Sequence, residues 1–583
     1  MRGLEAKGQL VVAALFMLVA AARGGRLLKY YWTVDYSWDS PDCVERLIIA
    51  VNGLYPGPVI RAKVGDTVEV KVHNLMPTES VSIHWHGILQ KGTPWADGAA
   101  FVSQCPIAPG ETYTYKFKVT QPGTYFYHGH NGMQRAAGLY GSLIVDLPYN
   151  EMEPFYYDGE MSILLNDWWH KSMYEQELGL VSNPFRWVGD PQSLLINGRG
   201  SYPCSNVSAA TVSSGDCLQC NQTVCPPYVL QPAVEPGKTY RLRIGSVASL
   251  SALNFILEGH NMTVVEVSGH YVQPVMVQNL DIYSGETYSV LFTANQDPTH
   301  NYWAAINVRG RNNTFIPTGV AILNYNQTPN TSLPSTPHPV SPVWNDFNLS
   351  LANAQVYKAF LGSYGYEQPP TRTADRQLFL LNTQNELDGF TRWAVNNITY
   401  FPTTTPVLAA FKYKMTEELV NPPRDSYTPG YDIYAQPNVT NPNTTAGSGV
   451  YTFKLNDVVD VVLQNANTNQ PLNSEIHPWH LHGHDFWVLG YGLGVFNYST
   501  NYGDLNFVNP IKANTAPVLP YGWTALRFVA NNPGAWPFHC HIEPHFHIGM
   551  GVIFAEGVHH LPAIPAENLG CGFTKRFLDL DLK

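Results

Sequence analysis

Three short stretches of the chain share one rhythm of apolar and polar positions. Gly65-Asp66-Thr67-Val68-Glu69-Val70-Lys71-Val72 alternates strictly and ends at His73-Asn74. Gly237-Lys238-Thr239-Tyr240-Arg241-Leu242-Arg243-Ile244 keeps the same beat, and Asn456-Asp457-Val458-Val459-Asp460-Val461-Val462-Leu463 is a third copy. Alternation puts successive side chains on opposite faces of a strand, so each copy predicts a turn feeding a half-buried strand. Later landmarks recur as well. Pro122-Gly123-Thr124-Tyr125-Phe126-Tyr127-His128-Gly129-His130 parallels Pro533-Gly534-Ala535-Trp536-Pro537-Phe538-His539-Cys540-His541, and apolar strands follow both, at Gly141–Val145 and Gly551–Ala555. The middle copy offers only Asn301-Tyr302-Trp303-Ala304-Ala305, without histidine. The pattern predicts three related β-sandwich domains, two with histidine clusters and one without.

Composition sets the boundaries. The first repeat ends at Leu147-Pro148, and a Pro/Ser/Thr-rich stretch from Thr328 to Pro342 reads as a linker after the second. The expected domains are residues 26–148, 149–345 and 346–583, with the Pro- and Asn-rich Asn421–Thr445 as a surface loop in the third. Residues 1–25 stand apart: Arg2 and Lys7 precede an apolar run from Leu10 to Ala22 that closes on small residues. That is the form of a secretory signal, and the run is shorter than the ~20 residues a membrane anchor needs. The chain of 583 residues is 13% aromatic, with 44 Pro and 47 Gly, which suits strands and turns. Charged residues are 14%, but 44% hydrophobic residues exclude disorder. A net charge of −11 without any Lys/Arg-rich run excludes nucleic acid and anionic membranes as partners. Eleven Asn-x-Ser/Thr sites agree with export and a glycosylated surface.

Chemistry concentrates in four His-x-His pairs: His84/His86, His128/His130, His480/His482 and His539/His541. On a strand, i and i+2 share a face, so each pair presents two imidazoles side by side. One pair alone would pass for satisfied core histidines. Four pairs at matching points of two repeats point to metal, because imidazole is the commonest metal ligand. His477 adds a ninth imidazole, and Cys540 lies between His539 and His541, followed by His545 and Met550. A thiolate, two imidazoles and a weak thioether are the donor set of a blue-copper site, filled here by His477, Cys540, His545 and Met550. Zinc seldom uses methionine, and haem attachment would need Cys-x-x-Cys-His. Three further coppers with two, three and three imidazoles account for the eight paired histidines. Four coppers store four electrons, which is what O2 reduction to two waters consumes. His547 falls outside the pattern and reads as a packing or supporting residue.

The segments His84–Gln90, Thr93–Gly98, His480–Trp487 and His539–His545, with Met550 ten residues after the cysteine, resemble the copper-binding segments of the multicopper oxidase family. The similarity runs over nearly all of the chain after the signal. It implies an all-β fold of three consecutive cupredoxin-like Greek-key β-sandwich domains with few short helices. It also implies four copper ions: a type 1 ion on His477, Cys540, His545 and Met550, and a type 2 ion on His84 and His480. One type 3 ion would sit on His86, His128 and His541, and its partner on His130, His482 and His539. Asp97 would orient ligands or relay protons; the competing reading is a turn-forming Asp before Gly98. Trp187 and Trp393 match the family's ring-stacking tryptophans beside an exposed edge of His545, where core packing is the alternative. The family pattern pairs Cys43 with Cys225, Cys105 with Cys571, and Cys204 with Cys217, leaving Cys220 outside it. The implied activity is one-electron oxidation of L-ascorbate to monodehydroascorbate with O2 as acceptor, in a secreted, extracellular protein of the plant cell wall that forms homodimers. The alternative is a laccase-type phenol oxidase on the same copper sites, against which Met550 and the two tryptophans speak. A binding or structural relative predicts missing ligands, and none of the twelve is missing. A copper store would not need Cys540 to bridge two sites.

Overall fold

A computed structural model describes residues 25–202, 226–312, 316–371, 373–437 and 443–578. Among the described residues the strands form six sheets, and they fall into three pairs along the chain. Each repeated turn-and-strand occupies the same place in its pair. Thr67–Asn74 runs parallel to Leu27–Asp39 and antiparallel to Thr112–Lys118. Thr239–Ser246 runs parallel to Gly159–Trp168 and antiparallel to Thr287–Thr293. Val458–Asn465 runs parallel to Arg376–Leu387 and antiparallel to Gly522–Val529. The turn before each copy needs a left-handed residue, supplied by Gly65 and Gly237 at φ 98° and 81° and by Asn456 at 70°. Asparagine tolerates that conformation, so the third copy dispenses with glycine.

The facing sheets repeat too. Ile83–His86 pairs with Gly123–Gly129, Ala252–Leu257 with Tyr302–Arg309, and His477–Leu481 with Gly534–Cys540. The fold is therefore all-β, built from three cupredoxin-like units, and its helices are short: the longest described, Phe347–Gln355, has nine residues. One hydrophobic core runs through all three units, from Trp32 to Phe554.

The expectation of half-buried strands holds only for the first copy. Thr67–Asn74 alternates buried and accessible positions, but Thr239–Ser246 is buried from its second residue and Val458–Asn465 throughout. Neighbours cover the outer faces. Arg241 pairs with Glu266 and Glu153, and Arg243 with Glu160. Val462 packs against Trp487 and Trp523. The stretch from Thr328 to Pro342 is not a free linker: Asn301 donates to Pro329 O and Ser332 O, and Trp303 Nε1 to Thr336 O, strapping it to the middle unit. Cys105 and Cys571 form a disulfide that closes the last segment onto the first unit. Cys43 is also disulfide-bonded. Its expected partner Cys225, together with Cys204, Cys217, Cys220 and the signal segment, lies outside the described residues. No described helix is long and apolar enough to cross a membrane.

Candidate metal centre

Strand alternation decides where each side chain goes. In Ile83–His86, Trp85 turns inward against Tyr115 and Phe117, so His84 and His86 share the opposite face. His84 stands opposite His128 in register, and His480 stands opposite His539. In the final His-Cys-His, Cys540 takes one face while His539 and His541 take the other. The first and third units thus bring their four pairs together across one interface. His84 lies 3.8 Å from His482 between ring centroids, and His86 lies 3.8 Å from His480.

Most of these imidazoles have one nitrogen fixed from behind. Nδ1 of His84, His128, His480 and His539 donates to the main-chain oxygens of Asp97, Gly129, Asn514 and Cys540, at 2.8–2.9 Å. His482 Nδ1 donates to Asp97 Oδ2 at 2.8 Å, and His86 Nε2 donates to Asn514 Oδ1 at 3.1 Å. Each acceptor fixes the tautomer and leaves the other nitrogen as a bare lone pair. Those lone pairs meet. His84 Nε2 and His480 Nε2 are 3.3 Å apart, His482 Nε2 and His539 Nε2 3.1 Å, and His130 Nε2 and His539 Nε2 3.5 Å. His86 Nδ1 and His128 Nε2 are buried with no hydrogen-bond partner. Facing lone pairs inside the protein are costly without a cation between them. His541 differs: its ring nitrogens lie 2.7 and 2.9 Å from Arg135 Nη1, and Ser284 Oγ is 2.8 Å from its Nδ1. Its ring centroid is 4.8 Å from that of His86 and 5.2 Å from that of His128. Burial, reinforced by neighbouring imidazoles and, at His86, His128, His130 and His541, by Arg135, holds these four rings and His480 and His482 far below the ordinary histidine range. These rings are neutral, as metal ligands must be.

The second cluster lies on the opposite face of the strand Gly534–Cys540. Cys540 Sγ is 3.7 Å from His477 Nδ1 and 3.8 Å from His545 Nδ1, and the two nitrogens are 3.2 Å apart. Bonds of about 2.0 Å to nitrogen and about 2.3 Å to sulfur would space ligands by roughly 3.3–3.7 Å. Met550 is buried beside them, accepting Cys540 N on its main-chain oxygen and donating its own N to His545 O. Burial pushes the Cys540 thiol up, so binding a metal here releases a proton. Thiolate, two imidazoles and thioether suit copper.

Family models for multicopper oxidases match residues 33–149, 159–328 and 401–560. The chain belongs to the multicopper oxidase family. It is 52% identical over 561 residues to an L-ascorbate oxidase of Cucumis sativus, covering 96% of this chain and 94% of that one. Identity to Laccase-2 of Oryza sativa subsp. japonica is 33% over 566 residues, covering 94% of each chain. Among solved structures, that of Fet3p, a multicopper oxidase that functions in iron import, superposes with a TM-score of 0.74 at 25% identity, covering 95% of each chain.

In this multicopper oxidase Asp97 is wholly buried beside two of the imidazoles: Oδ2 accepts His482 Nδ1, and Oδ1 lies 3.3 Å from His84 Nδ1. Its turn is equally real. Gly98, at φ 86°, packs so closely on Ile83 that a Cβ would stand 1.8 Å from the Ile83 oxygen. Trp393 and Trp187 both flank His545, at 4.9 and 5.7 Å between centroids, but they are not equivalent. Trp393 is fully buried and Trp187 half-buried. The expected exposed edge of His545 is absent: the residue is 1% exposed, and Glu475 Oε2 lies 3.1 Å from its Nε2. The accessible groups there are Trp187, Glu475 and Arg311, whose guanidinium is 3.1 Å from Glu475 and 6.0 Å from the Trp187 ring. Although burial works against it, Arg311, joined by His545, holds Glu475 far below the usual carboxylate range.

Sequence reasoning passed over several supporting residues. Asn514, Ser284 and Arg135 reach the imidazoles from distant segments and carry no local signal, and Glu475, two residues before His477, reaches His545 across the fold. Glu543 had a local signal, inside His-Cys-His-Ile-Glu. It accepts Arg135 N and Ala136 N from the first unit and Ser249 Oγ from the middle unit, at 2.9–3.0 Å. His547 lines a cavity of about 410 Å³ that also touches His128, His130, His539 and His541.

Proposed function

We propose that this chain is a secreted oxidase that takes single electrons from L-ascorbate and spends four of them reducing O2 to two waters. Twelve side chains would hold four coppers: His477, Cys540, His545 and Met550 the first; His84 and His480 the second; His86, His128 and His541 the third; and His130, His482 and His539 the fourth. Copper supplies a one-electron couple at each position, and the four together match the electron demand of O2. The observation that carries the reading is the placement of Cys540. Its sulfur lies among His477 and His545, while its chain neighbours His539 and His541 face the imidazole cluster, so three bonded residues join donor side to acceptor side.

What the chain's own residues do follows from their contacts. Asp97, Asn514 and the main-chain oxygens orient the imidazoles and fix their tautomers. Burial excludes water from the Cys540 cluster. Trp187 offers a flat accessible face next to His545, and Arg311, though paired with Glu475, offers guanidinium N–H donors beside it, suited to a small planar anion such as ascorbate. Identity of 52% to an ascorbate oxidase against 33% to a laccase supports ascorbate over phenols. We further infer domain limits near residues 148 and 345, an extracellular location in the plant cell wall and assembly as a homodimer, with neither nucleic acid nor membrane as a partner. The test is O2 uptake by the copper-loaded protein, supplied with ascorbate or with a simple phenol. A much higher kcat/KM for ascorbate, with water as product, is expected. Preference for the phenol would make the chain a laccase, and no uptake by fully loaded blue protein would refute the oxidase.

A further inference from the structure

A cavity of about 610 Å³ opens on the third unit, and none of the twelve metal-site side chains lines it. That size falls within the ~300–1,000 Å³ of small-molecule sites. Its floor is the strand Phe486–Leu493, on which the ring of Trp523 rests. Gly492 stands opposite Trp523 in register, and a Cβ there would come within 2.4 Å of the indole, so glycine lets the ring lie against the strand. The outer edge of this strand pairs with Lys512–Ala513 only at Phe486 and Trp487, and no described strand continues the pairing. Gln355 Nε2 covers Tyr491 O at 3.0 Å and Asn506 N covers Leu489 O at 2.8 Å, which leaves the edge partly protected. The amides of Gln355, Asn501 and Asn506 surround the floor, and its charged lining is one cation, Lys358, and one anion, Asp504. Aromatic rings below, amide donors and acceptors around and no net charge suit a neutral polyhydroxy ligand, an oligosaccharide.

A point of attachment for such a ligand stands at the rim. Asn497-Tyr498-Ser499 is an Asn-x-Ser site. Asn497 is exposed, its Oδ1 accepts Ser499 N at 2.9 Å, and its Nδ2 has no hydrogen-bond partner among the described residues. Its main-chain N donates to Asn501 Oδ1 at 2.8 Å, so one hydrogen bond separates it from the cavity wall. We propose that Asn497 carries an N-linked glycan and that this glycan packs into the cavity, covering the open edge of Phe486–Leu493. The proposal rests on the secretion reading above, because this sugar is added in the secretory pathway. In the transfer, Asn497 Nδ2 bonds to the anomeric carbon of a lipid-diphosphate-linked oligosaccharide. The sugar–phosphate bond breaks, the lipid diphosphate leaves and Nδ2 gives up one proton. Tethering makes the docking intramolecular, at an effective concentration on the order of millimolar, so weak sugar contacts suffice.

The experiment uses the full copper-loaded chain secreted from plant cells whose glycans are held at the neutral oligomannose stage, where one endoglycosidase cuts them all. Two variants accompany it. Ser499→Ala abolishes the attachment signal but keeps the main-chain N–H that Asn497 accepts, and Ala354→Phe keeps the signal but puts a larger side chain on the cavity wall. Mass spectrometry of the Asn497 peptide should find the glycan in wild type and Ala354→Phe, and none in Ser499→Ala. The endoglycosidase should cut it on the order of tenfold more slowly from native than from denatured wild type, and native Ala354→Phe should lose that protection. Amide hydrogens of residues 488–493 should exchange faster in Ser499→Ala than in wild type. Equal release from native and denatured wild type, or protection that persists in Ala354→Phe, overturns the docking. A bare Asn497 in a protein glycosylated at other sites overturns the proposal and leaves secretion standing. A chain retained in the cell without any glycan overturns both.

Discussion

Replacing Asp97 by Asn separates its two roles. The residue sits at φ −62° and ψ −32° at the end of a short turn, a conformation Asn adopts equally well, and both residues favour turns. If Asp97 only shaped the chain before Gly98, the substitution would be nearly silent. The contacts say otherwise. The carboxylate receives His482 Nδ1 at 2.8 Å and stands 3.3 Å from His84 Nδ1, though the latter is also held by the Asp97 main-chain oxygen, which the substitution leaves in place. The net loss is thus one charge-assisted hydrogen bond, about 1.5–3 kcal/mol, behind a single ligand. At 1.36 kcal/mol per decade this weakens the copper held by His482 roughly 10–150-fold. Copper per chain after equilibration against graded chelator is the direct assay, with blue absorbance and O2 uptake read on the same samples. The loss should fall on the imidazole cluster and spare the colour, because Cys540, His477 and His545 make no contact with Asp97. Copper retention and O2 uptake within about twofold of wild type would refute the orienting role.

Arg311→Gln should raise KM for ascorbate about tenfold while leaving kcat and the KM for a neutral phenol nearly unchanged, because it removes one charge-assisted contact to an anion. Glu286, raised to about 8 by burial, binds its proton more tightly folded than unfolded. Its contribution to stability is full below about 4.5 and is lost as pH rises through about 8, by up to about 5 kcal/mol. The Tm advantage of Glu286→Gln over wild type should therefore widen from pH 5 to pH 8, and parallel Tm curves would refute this. Removing the Cys105–Cys571 disulfide with paired serines should cost about 2–5 kcal/mol in denaturant unfolding and leave the colour of the folded protein unchanged.

The chain announces its architecture because the units repeat: alternation at 67–74, turn residues at Gly65, Gly237 and Asn456, and paired histidines at matching points are all local patterns. The clustering of the paired histidines was legible for the same reason, since i and i+2 on a strand share a face. What stayed hidden depends on contacts between distant segments. Nothing near Asn514 or Ser284 marks them as supports for His86, His480 and His541. Alternation likewise could not reveal that Arg241 and Val462 point into neighbouring structure rather than water. Trp187 and Trp393 looked alike in sequence, and only packing distinguishes the accessible ring from the buried one.

The grip of Glu543 carries a consequence for how the molecule comes into being. Its carboxylate fastens the His-Cys-His segment of the last unit to main-chain groups of the first and to Ser249 of the middle one. The middle sandwich brings no imidazole ligand to the cluster, yet without it this joint lacks a member. The reactive centre therefore works as a coincidence detector, its joint complete only when residues of all three units are in place together. A chain lacking any one unit lacks part of that joint.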